Sequence, residues 1–120
     1  MVKTEAPDPI RELLPLAPAV FYILFALAEG EKHGYAIMKE VEKVSAGQFT
    51  MGPGTLYTTI QRLLELGLIQ ETPTSSDSER RRRVYRLSRR GRQTLEAELS
   101  RMESLVRSAQ RRKLVPHVAR

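Results

Sequence analysis

Met51-Gly52-Pro53-Gly54-Thr55-Leu56-Tyr57-Thr58-Thr59-Ile60-Gln61-Arg62-Leu63-Leu64-Glu65-Leu66-Gly67-Leu68-Ile69 is the stretch on which the reading of this chain turns. Pro53 fixes a backbone angle suited to a first helical turn, and Gly67 is the residue type that commonly closes a last one. Between them Leu56, Ile60, Leu63 and Leu64 fall on one apolar stripe, the spacing of an amphipathic helix. Thr55, Thr58, Thr59, Gln61 and Arg62 occupy the other faces, with Tyr57 at the edge of the stripe. Short hydroxyl and amide side chains on an exposed helix can approach base edges and phosphate oxygens closely. Taken alone, the stretch fits a core helix with a polar outside equally well.

Upstream, His33-Gly34-Tyr35-Ala36-Ile37-Met38-Lys39-Glu40-Val41-Glu42-Lys43-Val44 reads as a second helix with Ile37, Val41 and Val44 on one face. Ser45-Ala46-Gly47-Gln48 breaks it. Helix, short glycine-containing connection, helix with a polar outer face is a helix-turn-helix pattern. Before it, a helix from Pro18 to Gly30 is apolar almost all the way round, so more than one side must be covered. Either a second subunit, through residues such as Phe21 and Leu24, or an unusually central place in its own core supplies the cover. Residues 1–16 read as a loose arm with a short turn around Ile10, Leu13 and Leu14.

Downstream, Leu68–Thr72 and Arg82–Leu87 are strand candidates, joined by the polar loop Pro73–Glu79. A hairpin directly after a helix-turn-helix is a wing. Ser88 can cap a last helix running from about Arg89 to Lys113. Its apolar residues Leu95, Leu99, Met102, Val106 and Ala109 are spaced alternately four and three apart, a coiled-coil seam rather than a broad core stripe. Packing within the same subunit is the alternative. The fold expected is mainly α with a small β-hairpin: arm 1–16, winged helix-turn-helix 17–88, dimerisation helix 89–113 and tail 114–120.

Residues 1–79 carry six Lys/Arg against eleven Asp/Glu, whereas residues 80–120 carry fourteen against three. The positive field therefore belongs to the last third, and favours a polyanion as partner. Arg80, Arg81, Arg82 and Arg83, with Arg86, Arg89, Arg90 and Arg92, place eight arginines in thirteen positions. On a wing these meet phosphate through planar forks and release counterions. The longest apolar run is too short to cross a bilayer and no export signal is legible, so a cytoplasmic protein is expected. There is no cysteine, and His33 and His117 have no ligand-like spacing. Neither a metal, a cofactor nor catalysis is expected.

Pro18-Ala-Val-Phe-Tyr-Ile-Leu, His33-Gly34-Tyr35-Ala36-Ile37, Gly52-Pro53-Gly54-Thr55-Leu56-Tyr57, Leu63-Leu-Glu-Leu-Gly-Leu-Ile69 and Arg83-Val-Tyr-Arg-Leu-Ser88 with Gly91 resemble the PadR family of transcriptional regulators in order and spacing. The single terminal helix resembles its shorter subfamily. The resemblance implies a winged-helix homodimer on an operator, usually a repressor, often released by a small aromatic or drug-like effector. It implies that Gly54, Thr55, Tyr57 and Thr58 open the recognition helix toward DNA, that the wing arginines hold the flanking backbone and that Tyr35 lies near the phosphates, while the helix pattern itself adds Gln61 and Arg62 to the DNA-facing candidates. Ala17 departs from the hydroxyl cap of many relatives, and the chain has no tryptophan for a stacking drug site. The rival is a winged helix that holds a protein partner or RNA.

Overall fold

A computed structural model describes residues 9–72 and 83–117. In chain order run α1 (Pro9–Glu12), α2 (Pro18–Leu27), β1 (Lys32–His33), α3 (Gly34–Val44), α4 (Pro53–Glu65), β2 (Ile69–Glu71), β3 (Val84–Leu87) and α5 (Arg89–Arg111). The predicted loop Pro73–Glu79 and the arginines Arg80, Arg81 and Arg82 lie outside the described residues, as do residues 1–8 and 118–120.

Periodicity decides α4 as expected: Leu56, Ile60 and Leu63 are at most 2% exposed. Each such side chain contributes roughly 1.5–3 kcal/mol through burial. Gly67, at φ 74°, ends the helix. Its N–H donates to the Leu64 carbonyl (3.1 Å) and the Leu68 N–H to the Leu63 carbonyl (2.9 Å), so two orphan carbonyls of the last turn are satisfied before β2 begins. A residue with a Cβ would be strained at that φ.

α2 packs against α3, α4, β3 and α5 of its own chain. Its apolar circumference is therefore largely explained by a central position. Leu24 is fully buried there, which corrects its expected place at a subunit contact: it has no surface to offer. Phe21 stays half-buried and Phe25 is exposed.

The hairpin is joined by a third strand that the sequence pattern does not announce. β1 pairs antiparallel with β3 on the side opposite β2, giving the order β1-β3-β2. Lys32 lies opposite Tyr85 and His33 opposite Val84, while Glu71 flanks Tyr85 from the other side. The start of α3 is thereby hydrogen-bonded to the wing.

Ser88 caps α5 by accepting from the Gly91 N–H (3.0 Å), and its own hydroxyl donates to the Gly67 carbonyl (2.6 Å). The amino-terminal segment is not wholly loose: α1 lies on α5, and Leu13 and Leu16 pack at the edge of the core. Fixing it is Glu98, fully buried, whose Oε2 accepts from the Leu16 N–H at 2.7 Å while Oε1 accepts from Arg101 Nε at 2.5 Å.

The Arg101 guanidinium first, and then the Leu16 amide, hold the Glu98 carboxyl below its ordinary value near 4.5, against the upward push of burial. A carboxyl whose folded pKa is depressed stabilises the fold above its unfolded pKa, and that stability is lost as pH falls through the folded value. Glu98→Gln is therefore expected to remove stability at pH 7, by about 1–3 kcal/mol for a buried amide left poorly paired. Urea midpoints measured from pH 7 downward are expected to converge with wild type only below about pH 4.5.

Candidate nucleic-acid interface

The turn between α3 and α4 is closed by side chains that leave one face of α4 outside. Ser45, 7% exposed, accepts from the Phe49 N–H (3.1 Å) and lies 3.0 Å from the Phe49 carbonyl, within donating reach. Ala46 and Gly47 take left-handed φ values of 53° and 77° to reverse the chain. Phe49 then stacks on Tyr22 of α2, ring centroids 5.1 Å apart, and the chain proceeds into α4 against the core.

With Leu56, Ile60 and Leu63 turned inward, Gly54, Thr55, Tyr57, Thr58, Gln61 and Arg62 are all exposed. Tyr57, Thr58, Gln61, Arg62 and Glu65 line a shallow surface hollow of about 560 Å³. The first turn of α4 has no side-chain cap and no acidic residue, and a Cβ on Gly52 or Gly54 would meet nothing within 4 Å. Thr59 is less available than its neighbours, since its hydroxyl donates to the Thr55 carbonyl at 2.7 Å. Tyr35 is 64% exposed at the start of α3, and Lys39 Nζ lies 5.5 Å from its ring centroid. Lys39, which the sequence pattern marks only as facing water, thus stands one helical turn from Tyr35 on the same face.

On the wing, the structure brings together a pair that spacing alone does not reveal. Arg83 Nη1 is 2.8 Å from Glu71 Oε1 at the base of the wing, an ion pair that leaves the half-exposed guanidinium its other donors. Beside it, Arg86 Nε donates to Gln70 Oε1 at 3.1 Å. Tyr85 between them is 5% exposed, and burial, with Glu71 adding to it, pushes its phenol up from 10.0. Arg89 and Arg90 are exposed on the first turn of α5, and Arg92 Nη2 donates to the Ala28 carbonyl at 3.2 Å.

The seam on α5 divides in two. Leu95 is 3% exposed and belongs to the core of its own chain, a second correction to the expected subunit contact. Leu99, Leu105 and Val106 are 37%, 57% and 47% exposed, with Met102 and Ala109 half-buried beside them. His33 stands at the amino-terminal cap of α3 without a side-chain capping bond. Among the described residues no group of three or more His, Asp and Glu could hold a metal, and no helix is long and apolar enough to cross a membrane.

Comparison with known proteins agrees with this architecture. The transcriptional regulator PadR-like family matches residues 23–97, from the core of α2 to the first half of α5. The transcriptional regulator Rv3488 of Mycobacterium tuberculosis is 35% identical over 86 residues, 72% of this chain and 77% of that protein. The transcriptional regulator YqjI of Escherichia coli is 31% identical over 83 residues, 69% of this chain. The chain spans only 38% of the length of YqjI, and 24% of a Streptomyces fradiae transposon protein to which it is also similar. Bacillus subtilis PadR, solved in complex with operator DNA, shares the fold with a TM-score of 0.58 and 24% identity over 67% of this chain and 45% of that one. Helix-turn-helix, wing and trailing helix thus coincide with a family match over more than half of the sequence: the chain belongs to the PadR-like family of transcriptional regulators.

Proposed function

We propose that this protein binds double-stranded DNA in the cytoplasm as a homodimer, laying α4 of each subunit in a major groove of an inverted repeat and acting as a repressor that a small effector releases. The observation that carries the reading is the division of α4, with Leu56, Ile60 and Leu63 buried and Thr55, Thr58, Gln61 and Arg62 presented together on the outside. Hydroxyl, amide and guanidinium groups are the donors and acceptors that base edges and phosphates meet. Operator DNA bound to Bacillus subtilis PadR supports the same use of the fold here. Residues 17–88 form the reading domain and 89–113 the pairing helix. Leu99, Met102, Val106 and Ala109 form the pairing surface, to which Phe21 of α2 contributes, because exposed apolar strips of this length on a helix are covered by a partner.

Gly54 provides the test. Its surroundings are open, so alanine fits the fold and favours the helix by up to about 1 kcal/mol. In the proposed complex the same methyl would stand at the exposed start of α4, where the backbone N–H groups of the first turn face a phosphate. In gel shifts against the DNA upstream of the protein's own gene, Gly54→Ala is expected to weaken binding about tenfold while thermal stability holds or rises; a tenfold change is what removing a single well-formed hydrogen-bonded approach to DNA costs. Unchanged binding by Gly54→Ala would remove α4 from the interface. Equal, weak retention of every duplex by wild type would favour a protein or RNA partner.

A further inference from the structure

Gly34 is buried, and it is the residue at which α3 leaves β1. Its φ is not among the positive values that single out Gly30, Gly47 and Gly67. Backbone freedom therefore does not require glycine here. Space does: a Cβ on Gly34 would lie 2.5 Å from Tyr57 Oη, 3.0 Å from Cζ and 3.2 Å from Cε1. Ordinary carbon contacts are about 3.5–4.0 Å. The phenol edge of Tyr57 thus rests against the backbone at the start of α3.

That contact joins two parts of the proposed interface. Tyr57 projects from the first half of α4, whereas Gly34 directly follows β1, which is paired with the wing strand β3 through His33 and Val84. The recognition helix therefore meets the start of α3 through one aromatic ring, and the wing is linked to that point through the pairing of β1 with β3.

We propose that Tyr57 is a positioning residue: by bearing on Gly34 it sets the seating of α4 relative to the wing, and reading of bases falls to Thr55, Thr58, Gln61 and Arg62. The idea deepens the DNA-binding reading and rests on it for its effect on specificity, but the contact itself can be tested without DNA. Alanine at position 34 is good for a first helical turn and bad only for the ring against it. The two substitutions are consequently expected to be strongly non-additive.

The experiment is a double-mutant cycle of Gly34→Ala, Tyr57→Ala and both, with Tyr57→Phe as the conservative variant. Melting temperature is measured first. Gly34→Ala is expected to lower it by no more than about 2 °C in the wild-type background, because the exposed Tyr57 ring can swing aside, and to raise it in the Tyr57→Ala background. Equal shifts in both backgrounds would overturn the contact. Binding is then measured on a duplex selected by wild type from a random pool, and on an unselected duplex of equal length. Gly34→Ala and Tyr57→Ala are expected to lower the ratio of the two affinities about tenfold, with Tyr57→Phe, which keeps the ring edge but loses the nearest atom, intermediate. A merely structural role would weaken both duplexes alike, and a ratio lowered by Tyr57→Phe but left unchanged by Gly34→Ala would make the hydroxyl a direct reader; either result overturns the positioning role. If wild type selects no sequence, the DNA-binding reading fails, and the melting cycle still decides whether Tyr57 bears on Gly34.

Discussion

Gly91→Ala is expected to destabilise the protein by about 3 kcal/mol or more, enough to remove a large part of the roughly 5–15 kcal/mol that a domain of this size has. Gly91 is in the first turn of α5, and a Cβ there would overlap the Leu68 carbonyl oxygen and lie 2.9 Å from its carbon. These are backbone atoms, which cannot swing aside as a side chain can. Moving them disturbs a knot of hydrogen bonds. The Leu68 carbonyl accepts from the Ser88 N–H (3.0 Å), and Ser88 Oγ both caps Gly91 and donates to the Gly67 carbonyl. Loss of a cap costs about 1 kcal/mol and a buried hydrogen bond about as much, on top of an overpacking cost of about 1–3. Helix propensity returns up to about 1. Chemical denaturation at pH 7 gives the answer directly, and a variant within about 0.5 kcal/mol of wild type would mean that α5 can retreat from the sheet without consequence.

The second large effect is electrostatic. Replacing Arg80, Arg81 and Arg82 together by alanine is expected to reduce DNA affinity by about 10²–10³ near physiological salt and to lower the salt slope by about 2–3, since each phosphate contact contributes about 0.9 to that slope. Arg83→Ala alone is expected to change the slope by less than about 0.9, because its ion pair with Glu71 already offsets part of its charge. Fluorescence anisotropy across a salt series separates the two. A triple variant with the wild-type slope would place the cationic contacts elsewhere, with Lys39, Arg62, Arg89 and Arg90 the exposed alternatives.

Much of this fold is legible in the sequence because its punctuation is strong. Pro53, Gly67 and the stripe from Leu56 to Leu63 bracket α4, and Ser88 marks the start of α5 by a bond that the structure contains. β1 is not legible. A two-residue strand, Lys32–His33, has no alternation to read, and only its pairing with β3 defines it. Leu24 and Leu95 read as subunit contacts because sequence shows that a residue is apolar without showing which neighbour covers it. Glu98 escapes notice for the converse reason. A glutamate on a polar helix reads as solvated, and its burial depends on the Leu16 amide, 82 positions away. The same limit applies to the wing. The Glu71 and Arg83 side chains meet only once the strand register is known, so the charge run is visible in the sequence but not which of its members is engaged.

Selecting duplexes from a random pool with the wild-type protein, and footprinting the product, tests most directly the claim that paired copies of α4 read DNA. The expected result is an inverted repeat protected as two patches whose centres lie about one helical turn apart, near 34 Å, with two chains bound per duplex. A pool that yields no common sequence, or a single unrepeated half-site occupied by one chain, would contradict it.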